Sequence, residues 1–175
     1  MISRILLAVD GSQNAQRAVD IAAELSGKLK SDLFIVHVLM HGRPAAELVR
    51  MAEVEHLVKQ THEVVSPGLT FITGSHTEFL RGETSDPGSS RIIAVLGEQL
   101  VARTKTTCAE RGANNIHTSV RTGDYAEEIL DAAEDFKADM IVIGSRGLGP
   151  LKSTILGSVS QKVLQHAHCS VLTVR

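Results

Sequence analysis

Two short segments of this chain carry the residue types from which an anion site is made. One is Asp10-Gly11-Ser12; the other is Gly144-Ser145-Arg146-Gly147-Leu148-Gly149, followed further along by Gly157-Ser158. Glycine lets backbone N–H groups come close to phosphate oxygens, and a helix that starts there adds a partial positive charge. Ser145 and Ser158 offer hydroxyl donors, and Arg146 and Lys152 offer positive charge. Such a set suits the holding of a phosphate ester. Glycines also end strands and cap helices, and an aspartate at a strand-to-helix turn is often only a cap, so each segment has a purely structural alternative.

The elements that must position these segments are written in the apolar pattern. Ile5-Leu6-Leu7-Ala8-Val9 is a short continuous apolar run closed by Asp10-Gly11-Ser12, as in a strand buried on both faces of a parallel sheet. Between Asn14 and Lys30, Ala15, Ala18, Val19, Ala22, Leu25 and Leu29 recur at helical steps, with Asp10 or Ser12 as the available N-cap. Leu33 to Leu39 is a second buried strand, completing a βαβ unit. Later the alternation returns: a strand over Ile116 to Val120, a helix over Tyr125 to Phe136, a strand over Met140 to Ile143, a helix around Ile155 to His166, and a last strand over Cys169 to Val174.

Between these halves the pattern is less regular. Leu48, Met51, Val54 and Val58 predict one helix, and Ile93, Leu96, Leu100 and Cys108 another that ends at Gly112. The stretch from Val64 to Ser90 is rich in turn chemistry, with Ser66-Pro67-Gly68 and Gly82 to Ser90, and Leu69 to Ile72 is a candidate small strand. It reads as an insertion at about 64–90 within one domain spanning 1–175, placed to cover a bound ligand or to meet a partner.

Composition narrows the classes. At 175 residues, with 43% hydrophobic and 22% charged residues, the chain is of one-domain size and globular in character. No apolar run approaches the roughly 20 residues of a membrane-spanning helix, so no membrane insertion is expected. A net charge of −2 and an aromatic content of 3% argue against nucleic-acid binding by charge or by stacking. Two cysteines, Cys108 and Cys169, read as small buried apolar residues rather than a disulfide framework, and Met1 to Arg4 is unlike a secretory signal; a cytoplasmic location is expected.

Competing motifs fail on particular residues. The Gly-x4-Gly-Lys-[Ser/Thr] loop is absent, the first strand lacks Gly-x-Gly-x-x-Gly, and Gly144 to Gly147 is one residue off the nucleophile elbow. His166 and His168 stand two apart, unsuited to sharing a metal on a helix, and no metal site is expected. His37, between Val36 and Val38, reads as a satisfied interior or binding-face histidine. Glu47, Glu53, Glu55 and Glu63 read as a solvated helix face.

The spacing Gly144-x2-Gly147-x9-Gly157-Ser158 resembles the glycine pattern of the universal stress protein family, specifically its ATP-binding branch. Ile5 to Asp10 is similar to that family's first strand with its terminal aspartate, and Gly157 to Ser160 and Ser170 to Val174 are similar to its closing helix and strand. The resemblance covers about residues 1–40 and 90–175 and leaves the insertion unexplained. It implies a Rossmann-like α/β domain, an open parallel five-stranded sheet of order 3-2-1-4-5 with helices on both faces.

Residue by residue, the resemblance implies that Asp10 contacts the nucleoside, with Ala8 and Val9 beside it, and that the backbone of Val38 meets adenine. Ile143, Gly144, Gly147, Gly157, Ser158 and Val159 stand where family members hold ribose and triphosphate, with Arg146 near enough to help. The implied ligand is ATP with Mg2+. The implied assembly is a homodimer through Ser170 to Val174, with a further protein partner that the sequence does not name. The expectation is a cytosolic ATP-binding stress-response or regulatory protein. A slow ATPase or autophosphorylating enzyme, and a dimeric interaction module in which nucleotide is only structural, remain as alternatives. No catalytic residue is assigned, because no base, lysine clamp or acidic pair accompanies the glycine loop.

Overall fold

A computed structural model describes residues 1–40, 87–148 and 156–175 of the chain. Its elements are β1 (Arg4–Ala8), α1 (Gln13–Leu29), β2 (Asp32–Met40), α2 (Pro87–Glu110), β3 (Asn114–Gly123), α3 (Tyr125–Asp135), β4 (Met140–Gly144), α4 (Ser158–His166) and β5 (Ser170–Val174). The five strands form one sheet of order β3-β2-β1-β4-β5, every neighbouring pair parallel. Fold class and strand order are those expected from the sequence.

Alternation along β1 explains why its apolar run is unbroken. Ile5, Leu7 and Val9 pack with α1 and α2 on one face, while Leu6 and Ala8 pack with α3 and α4 on the other. β4 divides in the same way, Val142 to the first face and Ile141 and Ile143 to the second. On α1, Ala18, Val19, Ala22 and Ala23 make a stripe of small residues that lets the helix lie close on the sheet. α3 does the same opposite with Ala126, Ile129, Ala132 and Ala133, and its N-cap Asp124 accepts from the amides of Ala126 and Glu127.

Local details decide where elements begin. Ser12, and not Asp10, is the N-cap of α1, its hydroxyl accepting from Ala15 N at 3.1 Å. α1 ends at Lys30 in the left-handed conformation, φ 56°, with its N–H donated to Ser26 O.

Three expectations need correction. Pro87 to Ser90, read as the end of an insertion, are the first residues of α2; proline suits a first helical position because its φ is already set and its missing N–H is not required there. The rest of that insertion, with the helix on Leu48 to Val58, the strand on Leu69 to Ile72 and the Glu47–Glu63 face, lies outside the described residues. β3 is longer than Ile116–Val120 because its ladder to β2 runs from Asn114 to Gly123; as the edge strand it carries polar residues that mask the pattern. Cys108 is fully buried, and burial pushes its thiol up to about 11, whereas Cys169 is only half-buried. Among the described residues no helix is long and apolar enough to cross a membrane.

Candidate functional site

The chain leaves β1 toward β2 on one side, while β4 pairs with β1 on the other, so strand order reverses between β1 and β4. In an open parallel sheet the crevice at the carboxyl ends of such strands is where ligands are held. The two segments that carry candidate chemistry, after β1 and after β4, meet there.

Their meeting is built from short bonds. Ser12 Oγ, already accepting from Ala15 N, donates to Arg146 O at 3.3 Å, and Asn14 Nδ2 donates to Ser145 Oγ at 3.5 Å. Gly144 lies so close to α1 that a Cβ there would stand 2.9 Å from Ala15 N and 3.0 Å from Asn14 C. A Cβ on Gly147 would collide with Asp10 Oδ2. Asp10 is also held by Ser12 N, which donates to Oδ1 at 3.0 Å. Because Ser12 caps α1, the Asp10 carboxylate is left at the crevice beside Gly147.

The second glycine segment is clasped to the first. Gly157 N donates to Ser145 O at 2.7 Å, Ser160 Oγ donates to Gly144 O at 2.7 Å, and Ser145 N donates to Val174 O at 2.6 Å. Gly157 is the N-cap of α4 and supplies no side-chain acceptor, so the positive end of that helix opens on the glycine segment. Ser158 is exposed at its first position, and Val159 packs on the α3 side of the sheet.

Ala8, Val9, Val38 and Ile143 are buried in the apolar clusters flanking the sheet, Val9 on the α1–α2 side and the other three on the α3–α4 side, so at these positions it is backbone that a ligand at the crevice would meet. The β1–β2 ladder ends with Ala8 opposite Val36, so Asp10 and Val38 each lie two residues beyond that last pair. Thus Asp10, Val38, Gly144, Arg146, Gly147, Gly157 and Ser158 come to one end of the sheet. Gly149 and Lys152 lie outside the described residues. Ser145 corrects an expectation: at 3% exposure it bonds inward to Asn14 and serves the clasp rather than offering a free hydroxyl.

Nothing in the sequence signalled Asn14 and Ser160, polar residues on helices whose bonds run to other elements, and His37, expected as a satisfied interior or binding-face histidine, is interior but has no hydrogen-bond partner at Nε2 among the described residues. His37 is 3% exposed, and its Nδ1 lies 2.8 Å from Val9 O. Burial holds its imidazole below the ordinary 6.5, although the bond to Val9 and the charge of Asp10 pull upward. The unfolded chain therefore binds a proton that the folded chain does not, and stability is lost as pH falls below 6.5. Urea denaturation at about pH 7.5 and about pH 5.5 is expected to show a loss at the lower pH that is smaller in His37→Leu. An equal loss in both would contradict it.

A separate crevice of about 180 Å3, lined by Leu130, Ala133, Ile141 and Cys169 among others, sits at the amino ends of β4 and β5. It lies at the opposite end of β4 from Gly144. Among the described residues no group of three His, Cys, Asp or Glu side chains could hold a metal.

A family model described as the universal stress protein family matches residues 1–175. Universal stress protein YxiE of Bacillus subtilis is 31% identical over 175 residues, covering all of both chains. Among solved structures, universal stress protein UspA from Lactobacillus plantarum aligns with a TM-score of 0.69 at 22% identity, over 99% of this chain and 98% of that one. A universal stress protein crystallised in complex with cAMP aligns with a TM-score of 0.61 at 20% identity, over 99% and 97%.

Proposed function

The chain belongs to the universal stress protein family, and on that premise we propose that it binds an adenine nucleotide, ATP with Mg2+, as a nucleotide-dependent stress-response factor. One observation carries the reading: the Asp10 carboxylate and the open N-terminus of α4 face the same glycine segment at the strand reversal. Asp10 accepts hydrogen bonds from the ribose hydroxyls, and the backbone at Val38 lies beside the adenine. The triphosphate takes the amides of Gly147, Ser158 and Val159, where the helix dipole favours negative charge, while the Gly157 amide stays on Ser145 O and the missing side chain at 157 leaves the room. Arg146 adds positive charge. Magnesium arrives on the phosphate oxygens, in keeping with its reluctance to shed water and its habit of binding through substrate phosphates.

The structure solved with cAMP supports an adenine nucleotide as the ligand class. Within the proposal the protein works in the cytoplasm as one domain over 1–175, and occupancy, not turnover, is its signal. It forms a homodimer through Ser170 to Val174, the edge strand β5, whose outer backbone groups a second copy pairs. A further protein partner reads the occupied state.

Protein purified without added nucleotide and denatured in acid is expected to release adenine compounds, and to sediment at micromolar concentration as a dimer. A monomer would remove the dimer from the proposal. Complete absence of adenine compounds, with none retained after incubation with magnesium and ATP, would remove the ligand.

A further inference from the structure

The His37 ring lies against α2, yet it touches the backbone that shapes the crevice. It lies on β2 between two candidate contacts: Val38 follows it in sequence, and Val9, the residue before Asp10, accepts its hydrogen bond. The carbonyl of Val9 can only accept, so Nδ1 carries the proton and the neutral ring leaves Nε2 as a bare acceptor. Among the described residues, nothing bonds Nε2. α2 comes flat against the ring at Gly97, where a Cβ would stand 3.2 Å from His37 Cδ2 and 3.3 Å from Val120 Cγ1.

This is a costly way to fill the position. Its neighbours on that face, Ile35 and Leu39, are ordinary members of the apolar cluster, and leucine would fill the space without desolvating a ring nitrogen. What histidine adds is the donor at Val9 O. That donor sits where the backbone ladder stops: β1 ends at Ala8, Val9 N still donates to Val36 O at 3.0 Å, and the chain then turns off to Asp10 and Ser12. Beyond that point the imidazole ties the two strands together.

We propose that His37 is a positioning residue for the nucleoside half of the site, its Nδ1–H on Val9 O setting the separation between the Asp10 carboxylate and the Val38 backbone. This rests on the nucleotide reading above. The side chain does not touch the ligand; it holds the end of β1 against β2 so that ribose and adenine meet partners already at the right spacing. Without the tie, Val9 and Asp10 have one backbone link fewer to β2, and part of the binding free energy goes into restoring the spacing.

Two substitutions and one spectroscopic measurement test it. His37→Leu removes the donor and keeps an apolar side chain of similar reach. His37→Asn restores an N–H two bonds from Cβ, where Nδ1 stands in histidine. In calorimetric titrations with ATP and magnesium, His37→Leu is expected to bind about tenfold more weakly than wild type, and His37→Asn within about threefold of it. Leucine equal to wild type, or asparagine as weak as leucine, would overturn the assignment while leaving the nucleotide reading intact. Wild type that binds no adenine nucleotide would overturn both. Should a variant fail to fold, nitrogen-15 spectra of the wild-type imidazole decide: the Nδ1–H tautomer, with slower exchange of that proton once ATP is added, is expected. The Nε2–H tautomer, or exchange indifferent to ATP, would overturn it.

Discussion

Gly157→Val is expected to keep the fold and lose the nucleotide, with ATP affinity falling about a hundredfold and stability by only about 1 kcal/mol. The backbone at 157 is extended, φ −72° and ψ 157°, a conformation open to valine. A Cβ there meets Arg146 Cα at 3.4 Å, Ser145 O at 3.5 Å and Gly147 N at 3.8 Å, ordinary contacts that require no movement. Weaker capping of α4 costs about 1 kcal/mol. The two added methyl groups take the space between Gly147 and the first amides of α4, which the proposal gives to phosphate. Calorimetry beside urea denaturation separates the effects. Unchanged affinity would contradict the assignment, and a collapse in stability would make the variant uninformative about phosphate and contradict the predicted tolerance.

Gly144→Val is expected to do the opposite, destabilising the fold by about 3 kcal/mol whether or not nucleotide is present. Here the first atom added already stands 2.9 Å from Ala15 N and 3.0 Å from Asn14 C. These are backbone atoms in the first turn of α1 and cannot rotate aside. Relief requires α1 to move off the end of β4, which also strains the Ser12–Arg146 and Asn14–Ser145 bonds. Urea denaturation reads the loss. Stability equal to wild type would mean that α1 and β4 are not packed as closely as described. Two glycines of one motif are thus expected to respond differently, Gly144 through packing against α1 and Gly157 through the room that the proposed function gives to phosphate.

The central strands were legible because burial on both faces leaves an apolar run with no polar interruption, as in Ile5 to Val9 and Met140 to Ile143. β3 was read short for the converse reason: at the sheet edge, Asn114, Asn115, His117 and Arg121 are compatible with pairing on one side and leave no periodic signal. The start of α2 was hidden by Pro87 and Gly88, which mark turns and helix starts alike.

Within the site, glycine spacing indicated which segments meet, since close approach restricts residue type. It did not distinguish Asp10 from Ser12 as the cap of α1, because both are good caps and only three-dimensional contacts show Ser12 bonded to Ala15 N. The clasp made by Ser145 and Ser160 was equally hidden. Its bonds run to backbone carbonyl and amide groups of other elements, and every residue has those. His37 is the sharpest instance, a polar residue in an apolar strand whose role depends on where a neighbouring strand ends.

Whether this crevice holds ATP is decided by calorimetric titration of the wild-type chain with ATP in the presence of magnesium, with ADP, AMP and cyclic AMP titrated in parallel. Saturable binding at one site per chain is expected, tightest for ATP, because the phosphates beyond the first meet the amides of Ser158 and Val159 at the open end of α4. No heat of binding with any of the four, confirmed by unchanged unfolding temperature at millimolar nucleotide, or a preference for a monophosphate over ATP, would contradict it.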